Sequence, residues 1–218
     1  MSPVTHFFAG WVLACASPVP LRRREKALVV AAAVAPDVDG LGIIPELLTR
    51  HSSHPLLWFS EYHHSLHTLA FALVCTVAAF LVAGPLDREK ISPHQFGPAR
   101  SGSRFGLRSS PPHPWTTALL VFLSFHLHLL CDLVGARGPD GYQWPIPYLK
   151  PFSNAAQLAW HGQWALNGWQ NFAFTGVLLV ATFWYARRDG VSPLEFVSKK
   201  WNSLFVLAIR TNHASTEE

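Results

Sequence analysis

Residues 115–134 read WTTALLVFLSFHLHLLCDLV, and this stretch decides the class of the molecule. A bilayer-crossing helix needs about 20 mostly apolar residues, and here such a run carries His126, His128 and Asp132 near one end. Titratable groups at membrane depth cost roughly 2.5–3.5 kcal/mol each on insertion scales, so they are expected to face a functional interior rather than lipid. On a helix His128 and Asp132, four residues apart, stack on one face. His126 points roughly 200° away from His128, which predicts that it either supports a ligand from behind or has a structural role. Neutral imidazole and carboxylate are ligands for zinc and similar divalent metals. The plain alternative is a hydrogen-bonded core pair, which the apolar setting disfavours.

The rest of the chain agrees with a membrane setting. Hydrophobic residues make up 50% and charged ones 14%, against roughly 25% charged in soluble domains. Residues 66–86 and 169–186 form continuous apolar spans. Residues 27–48 are interrupted by Pro36-Asp37-Val38-Asp39-Gly40, which predicts a broken helix. Residues 6–16 are too short for a full span. The expected fold is therefore an all-α integral membrane bundle of four to five spans. A membrane-embedded domain covers 1–190, with a flexible cytoplasmic loop at 87–114. Residues 191–218 add an amphipathic surface helix and tail, opening on the capping pattern Ser192-Pro193-Leu194-Glu195. In that helix Phe196, Trp201, Leu204, Phe205 and Leu207 accompany Lys199, Lys200 and Arg210, as in helices lying on anionic lipid.

Charge sets the orientation. If every apolar segment crosses, 14 of the 17 Lys+Arg fall on one side, leaving only Arg50, Arg137 and Lys150 on the other. The positive-inside rule makes the basic-poor side extracytoplasmic. Nine of the 12 histidines lie on or near that poor side, so residues distant in sequence converge on one leaflet. With no Lys or Arg before Arg22, a cleaved leader is not expected. The net charge of +4 comes from inner-face loops, which points to membrane lipid as partner and away from nucleic acid. Cys15, Cys75 and Cys131 lack metal or disulfide spacing and are expected to be buried thiols.

Further ligands lie at two other places. Glu61-Tyr62-His63-His64-Ser65-Leu66-His67 stands where a loop enters a span. His63 with His67, or His64 with His67, has the spacing to chelate a metal on a helix. Asp37 and Asp39 would diverge on a regular helix, but the break around Pro36 lets both turn inward. At least one of them is expected to be a ligand, since a desolvated carboxylate without a cation takes up a proton. The Trp- and Tyr-rich stretch 137–171 suits an interfacial belt or the roof of a cleft, and His161 within it is a candidate proton shuttle. No nucleophile elbow, P-loop or dinucleotide fingerprint is present.

Taken in order, Thr5-His6, Pro36-Asp37-Val38-Asp39, Tyr62-His63-His64-Ser65-Leu66-His67 and His128-x-x-x-Asp132 followed by Trp144-Pro145 resemble the YdjM-like inner-membrane metal-dependent hydrolases. The resemblance covers about residues 1–186. It implies a bacterial inner-membrane location and a remote similarity to zinc-dependent phospholipase C and single-strand nucleases. On that similarity His128 and Asp132 are metal ligands, Asp132 able to bridge two ions. Asp37 or Asp39, one or two of His63, His64 and His67, and His6 complete the set. The Arg-Gly that many members carry in the middle motif is missing here, which leaves open which of the three histidines coordinates.

The expected function is hydrolysis of a phosphoester, with a lipid headgroup as one candidate, by water activated on a divalent metal, zinc foremost, at the extracytoplasmic face. Asp37, Asp39 and His161 are the candidates for handling the proton. The rival is a transport protein or relay using the same residues. It predicts a polar path open to both faces.

Overall fold

The computed structural model describes residues 1–84, 113–138, 141–155 and 157–214. The molecule is all-helical, and among the described residues no strand is present beyond two isolated bridges, Arg137 with Ala165 and Ile146 with Leu158. Its helices are α1 (Pro3–Cys15), α2 (Arg23–Val34), α3 (Ile43–Thr49), α4 (Trp58–Tyr62), α5 (Leu69–Ala83), α6 (Pro114–Gly135), α7 (Trp169–Asp189) and α8 (Lys199–Ala214). A 3-10 segment, Ala35–Gly42, joins α2 to α3. The continuous helical stretch Arg23–Thr49 and α6 are each long and apolar enough to cross a membrane; α1 and α5 are shorter apolar helices.

α6 is the axis of the bundle, packed against α1, α2 and α5, while α7 lies against α1. Small residues allow the close approach, as in helix packing within lipid. A Cβ on Gly10 of α1 would come within 2.5 Å of the Ala33 Cβ on α2. The core splits into two clusters, one around Val29, Leu120 and Val121 and one around Phe125, Leu129 and Ile146. Outward faces of α5 and α7 leave Leu73, Val77, Val177 and Val180 exposed, which fits contact with hydrocarbon.

Two local expectations need correction, and a third lies almost wholly outside the described residues. The helix expected to start near residue 66 begins at Leu69, capped by the Thr68 hydroxyl accepting from the Phe71 N–H. Residues 63–66 form a turn instead, and the Leu66 N–H donates to Asp39. Hence His63, His64 and His67 do not sit on a helix face. The C-terminal helix also starts late, at Lys199, after a short 3-10 turn at Pro193–Phe196. The residues of its capping pattern have other partners. The Ser192 hydroxyl bonds Asn202 Oδ1, and Glu195 pairs with Lys26 of α2 at 3.1 Å. Finally, the loop expected over 87–114 falls almost wholly outside the described residues; its last residue, Pro114, opens α6.

Candidate metal centre

The break in the second apolar segment is what makes the centre. Pro36 lacks an N–H and ends regular α-helix, and the 3-10 segment swings Asp37 and Asp39 toward the C-terminal half of α6. From that half come His128 and Asp132, and from α1 comes His6. His6, Asp37, His128 and Asp132 each offer one ligand atom, and these atoms all lie within 4.8 Å of one another.

His128 carries the clearest electrostatic information. Its Nδ1 is 2.8 Å from the Ala33 carbonyl; a carbonyl only accepts, so Nδ1 holds a proton and donates. In neutral imidazole Nε2 then presents a lone pair. That lone pair faces Asp132 Oδ2 at 3.0 Å, His67 Nε2 at 3.2 Å and Asp37 Oδ1 at 3.8 Å. The lone pair and the two carboxylates repel one another unless a proton, which His67 Nε2 can carry, or a cation stands among them. Anchoring one ring nitrogen to a backbone carbonyl is also how metal-binding histidines are held.

Asp132 is the hub. Oδ1 lies 3.1 Å from His6 Nε2 and also contacts the N-terminal amine of Met1; Oδ2 lies 3.0 Å from His128 and 3.4 Å from His67. His6 and His128 stack with ring centroids 3.8 Å apart. Buried nitrogens and oxygens without a hydrogen-bond partner collect here, namely His6 Nδ1, Asp37 Oδ2, His64 Nδ1 and His67 Nδ1. Buried polar groups are rarely left so. The donor set therefore fits a divalent cation of the kind imidazole and carboxylate bind.

His67 links this group to a second one. Its Nδ1 side is 3.6 Å from Asp39 Oδ2, and Asp39 Oδ1 accepts from His63 Nδ1 at 3.1 Å. His64 adopts a left-handed backbone, φ 77°, which is uncommon for a residue with a side chain and frequent at functional sites. That turn buries its ring in a stack on Trp144, 5.4 Å between centroids. Burial, with His67 and His63 alongside, pushes its imidazole down to about 3.

A cavity of about 320 Å³ opens on the centre, lined by Asp37, Asp132, His63, His64, Phe59, Tyr142 and Trp144 among others. Of the aromatic stretch 137–171, Tyr142 and Trp144 line this cleft, while Phe152, Trp160 and Trp169 are exposed elsewhere. All eight expected ligands, His6, Asp37, Asp39, His63, His64, His67, His128 and Asp132, gather around or beside this space. His161 does not; it is exposed in a turn and lines none of the cavity. His126 is likewise elsewhere, donating from Nδ1 to the Phe122 carbonyl and accepting from the Tyr148 hydroxyl at 2.9 Å.

Some supporting residues escaped the sequence reading. Gln163 donates to the Asp132 carbonyl at 2.7 Å, and Asn171 donates to the Gly135 carbonyl at 2.8 Å. Together they hold the end of α6 to the loop before α7 and to the first turn of α7. A Cβ on Gly135 would lie 2.4 Å from Trp164 Nε1, so that approach requires glycine. The one available signal was polar Gln and Asn in an otherwise aromatic stretch.

No curated protein and no solved structure was found to match this chain. Over residues 1–210 it matches the family model described as YdjM inner membrane protein, and the chain belongs to that family.

Proposed function

We propose that this protein is a multi-pass inner-membrane hydrolase that uses a divalent metal, zinc foremost, to cleave a phosphoester at the extracytoplasmic face. The observation that carries the reading is the convergence of His6, Asp37, His128 and Asp132, with the His128 lone pair aimed at carboxylates. α1, the broken second segment, α5, α6 and α7 would be the four to five spans. The basic-poor end of that bundle holds the centre.

His6, Asp37, His128 and Asp132 would hold the metal, with His67 able to join through Nε2. When bound, such an ion lowers the pKa of water toward neutrality and polarises a phosphoryl oxygen. The chain's own residues do the rest. Asp37 lines the cavity with Oδ2 unpartnered and is placed to accept a proton there. His63 is oriented by Asp39 at 3.1 Å, the arrangement that prepares an imidazole for general acid–base work, and it lines the same cavity. His63 would give a proton to the leaving oxygen and take one back from cavity water, while the proton accepted by Asp37 leaves to solvent. The roof of Phe59, Tyr142 and Trp144 limits water around the reacting group.

A relay is less well supported. The buried α6 residues before His128 are Thr117, Ala118, Leu120, Val121, Ser124 and Phe125, none of them ionisable. The Ser124 hydroxyl is already bonded to the Val29 carbonyl.

The test is hydrolysis of a panel of phosphomonoesters and phosphodiesters by detergent-purified protein loaded with zinc, beside Asp132→Ala. Turnover that vanishes in the variant supports the reading. A zinc-loaded wild type inert across the panel counts against it.

A further inference from the structure

A second space lies beside the cavity over the centre. A larger groove of about 520 Å³ runs between the first turns of α1 and α7. Met1 and Leu166 line both spaces, so the groove adjoins the cavity. Each lies in the roughly 300–1,000 Å³ range of small-molecule sites. Their chemistry differs. The cavity presents carboxylates and imidazoles, whereas no ionisable side chain lines the groove. Of its polar side chains all but the exposed Asn167 are engaged: the Ser2 and Thr5 hydroxyls bond each other at 2.9 Å, those of Thr5 and Thr175 at 2.7 Å, and Asn171 Nδ2 donates to the Gly135 and Leu166 carbonyls at 2.8 Å. What the groove offers a ligand is apolar surface, including Phe172, which is 71% exposed. A small polar ester would use only the first space. A molecule with a phosphate head and a hydrocarbon tail uses both.

We propose that the substrate is a lipid phosphoester, its phosphate in the His/Asp cavity and one acyl chain in the α1–α7 groove. The inference rests on the hydrolase reading, and two arms separate the two. In the first, full-length protein sits in phosphatidylcholine vesicles doped with a phosphatidic acid analogue bearing a diazirine at the end of one chain. After irradiation, adducts are mapped by mass spectrometry. Adducts on residues 2–5 and 166–175 are expected to exceed those on the lipid-facing Leu73 and Val77 about tenfold, a preference of about 1.4 kcal/mol. Asn167→Trp, at an exposed position lining the groove, should remove that excess while metal content stays unchanged. Even labelling of all lipid-facing helices, or an excess that survives Asn167→Trp, overturns the groove assignment.

The second arm compares hydrolysis of a long-chain phosphoester with that of a short-chain analogue carrying the same head. A kcat/KM higher for the long chain in wild type but not in Asn167→Trp supports the proposal. Equal kcat/KM overturns it and leaves the hydrolase reading standing. Groove labelling without turnover of either ester makes lipid a ligand and overturns its role as substrate.

Discussion

Glu25 and Asp132 are both buried carboxylates touching α6, one near its start and one near its end, and they are treated oppositely. Glu25 is surrounded by donors. Oε2 accepts the Arg22 backbone N–H at 2.8 Å, and Oε1 accepts the His113 N–H at 2.9 Å and the Arg22 guanidinium at 3.1 Å. Asp132 meets the N-terminal amine of Met1 on one oxygen and is otherwise surrounded by three imidazoles, one with its lone pair turned inward, and by buried atoms without partners. A carboxylate whose oxygens are filled by fixed donors ties helices together. One ringed by groups that can give up their protons is prepared for a cation. Burial alone does not tell a structural charge from a functional one; the neighbours do.

That contrast is breakable. Asp132→Ala should abolish both metal binding and ester hydrolysis, read by elemental analysis and turnover, with helical content retained. Chelation should come next. If wild type is purified with metal at about 100 times its dissociation constant, stripping it removes about 2.7 kcal/mol of stability. The melting temperature should fall in wild type and stay put in Asp132→Ala. Asp39→Asn, which disturbs the residue orienting His63 and His67, should lower activity about 10–100-fold, while metal at the four-donor group persists. Glu25→Ala should do the reverse. It should cost about 1–3 kcal/mol in stability by leaving buried donors unpaired, with metal content per folded chain unchanged. Loss of metal in that variant would erase the distinction drawn above. His126→Phe should have the smallest effect, about 1 kcal/mol or less for one neutral hydrogen-bonded group, with metal and turnover intact.

Much of the centre was legible in the sequence because its ligands obey simple geometry. The i, i+4 spacing of His128 and Asp132 and the opposing direction of His126 follow from helix pitch. Pro36 announces the break that delivers Asp37 and Asp39. Elsewhere tertiary partners overrode local pattern. His63 and His67 have helical spacing, yet Asp39 takes the Leu66 N–H and holds that segment in a turn. Ser192 and Glu195 read as a helix cap, but Asn202 and Lys26 claim them. Nothing in the sequence around Glu25 shows that its partners are the backbone of His113 and the backbone and side chain of Arg22. The anchor of His128 was invisible for a similar reason: the Ala33 carbonyl is present in every residue type. The groove between α1 and α7 depends on how two helices distant in sequence meet, which periodicity does not encode.

The most direct test of the central claim is metal content by mass spectrometry of detergent-purified wild type beside His128→Ala/Asp132→Ala, with circular dichroism on both. At least one divalent ion per wild-type chain, absent from a variant of unchanged helical content, is the predicted result. A metal-free wild type from metal-replete cells, or a variant that keeps its ion, would contradict the account.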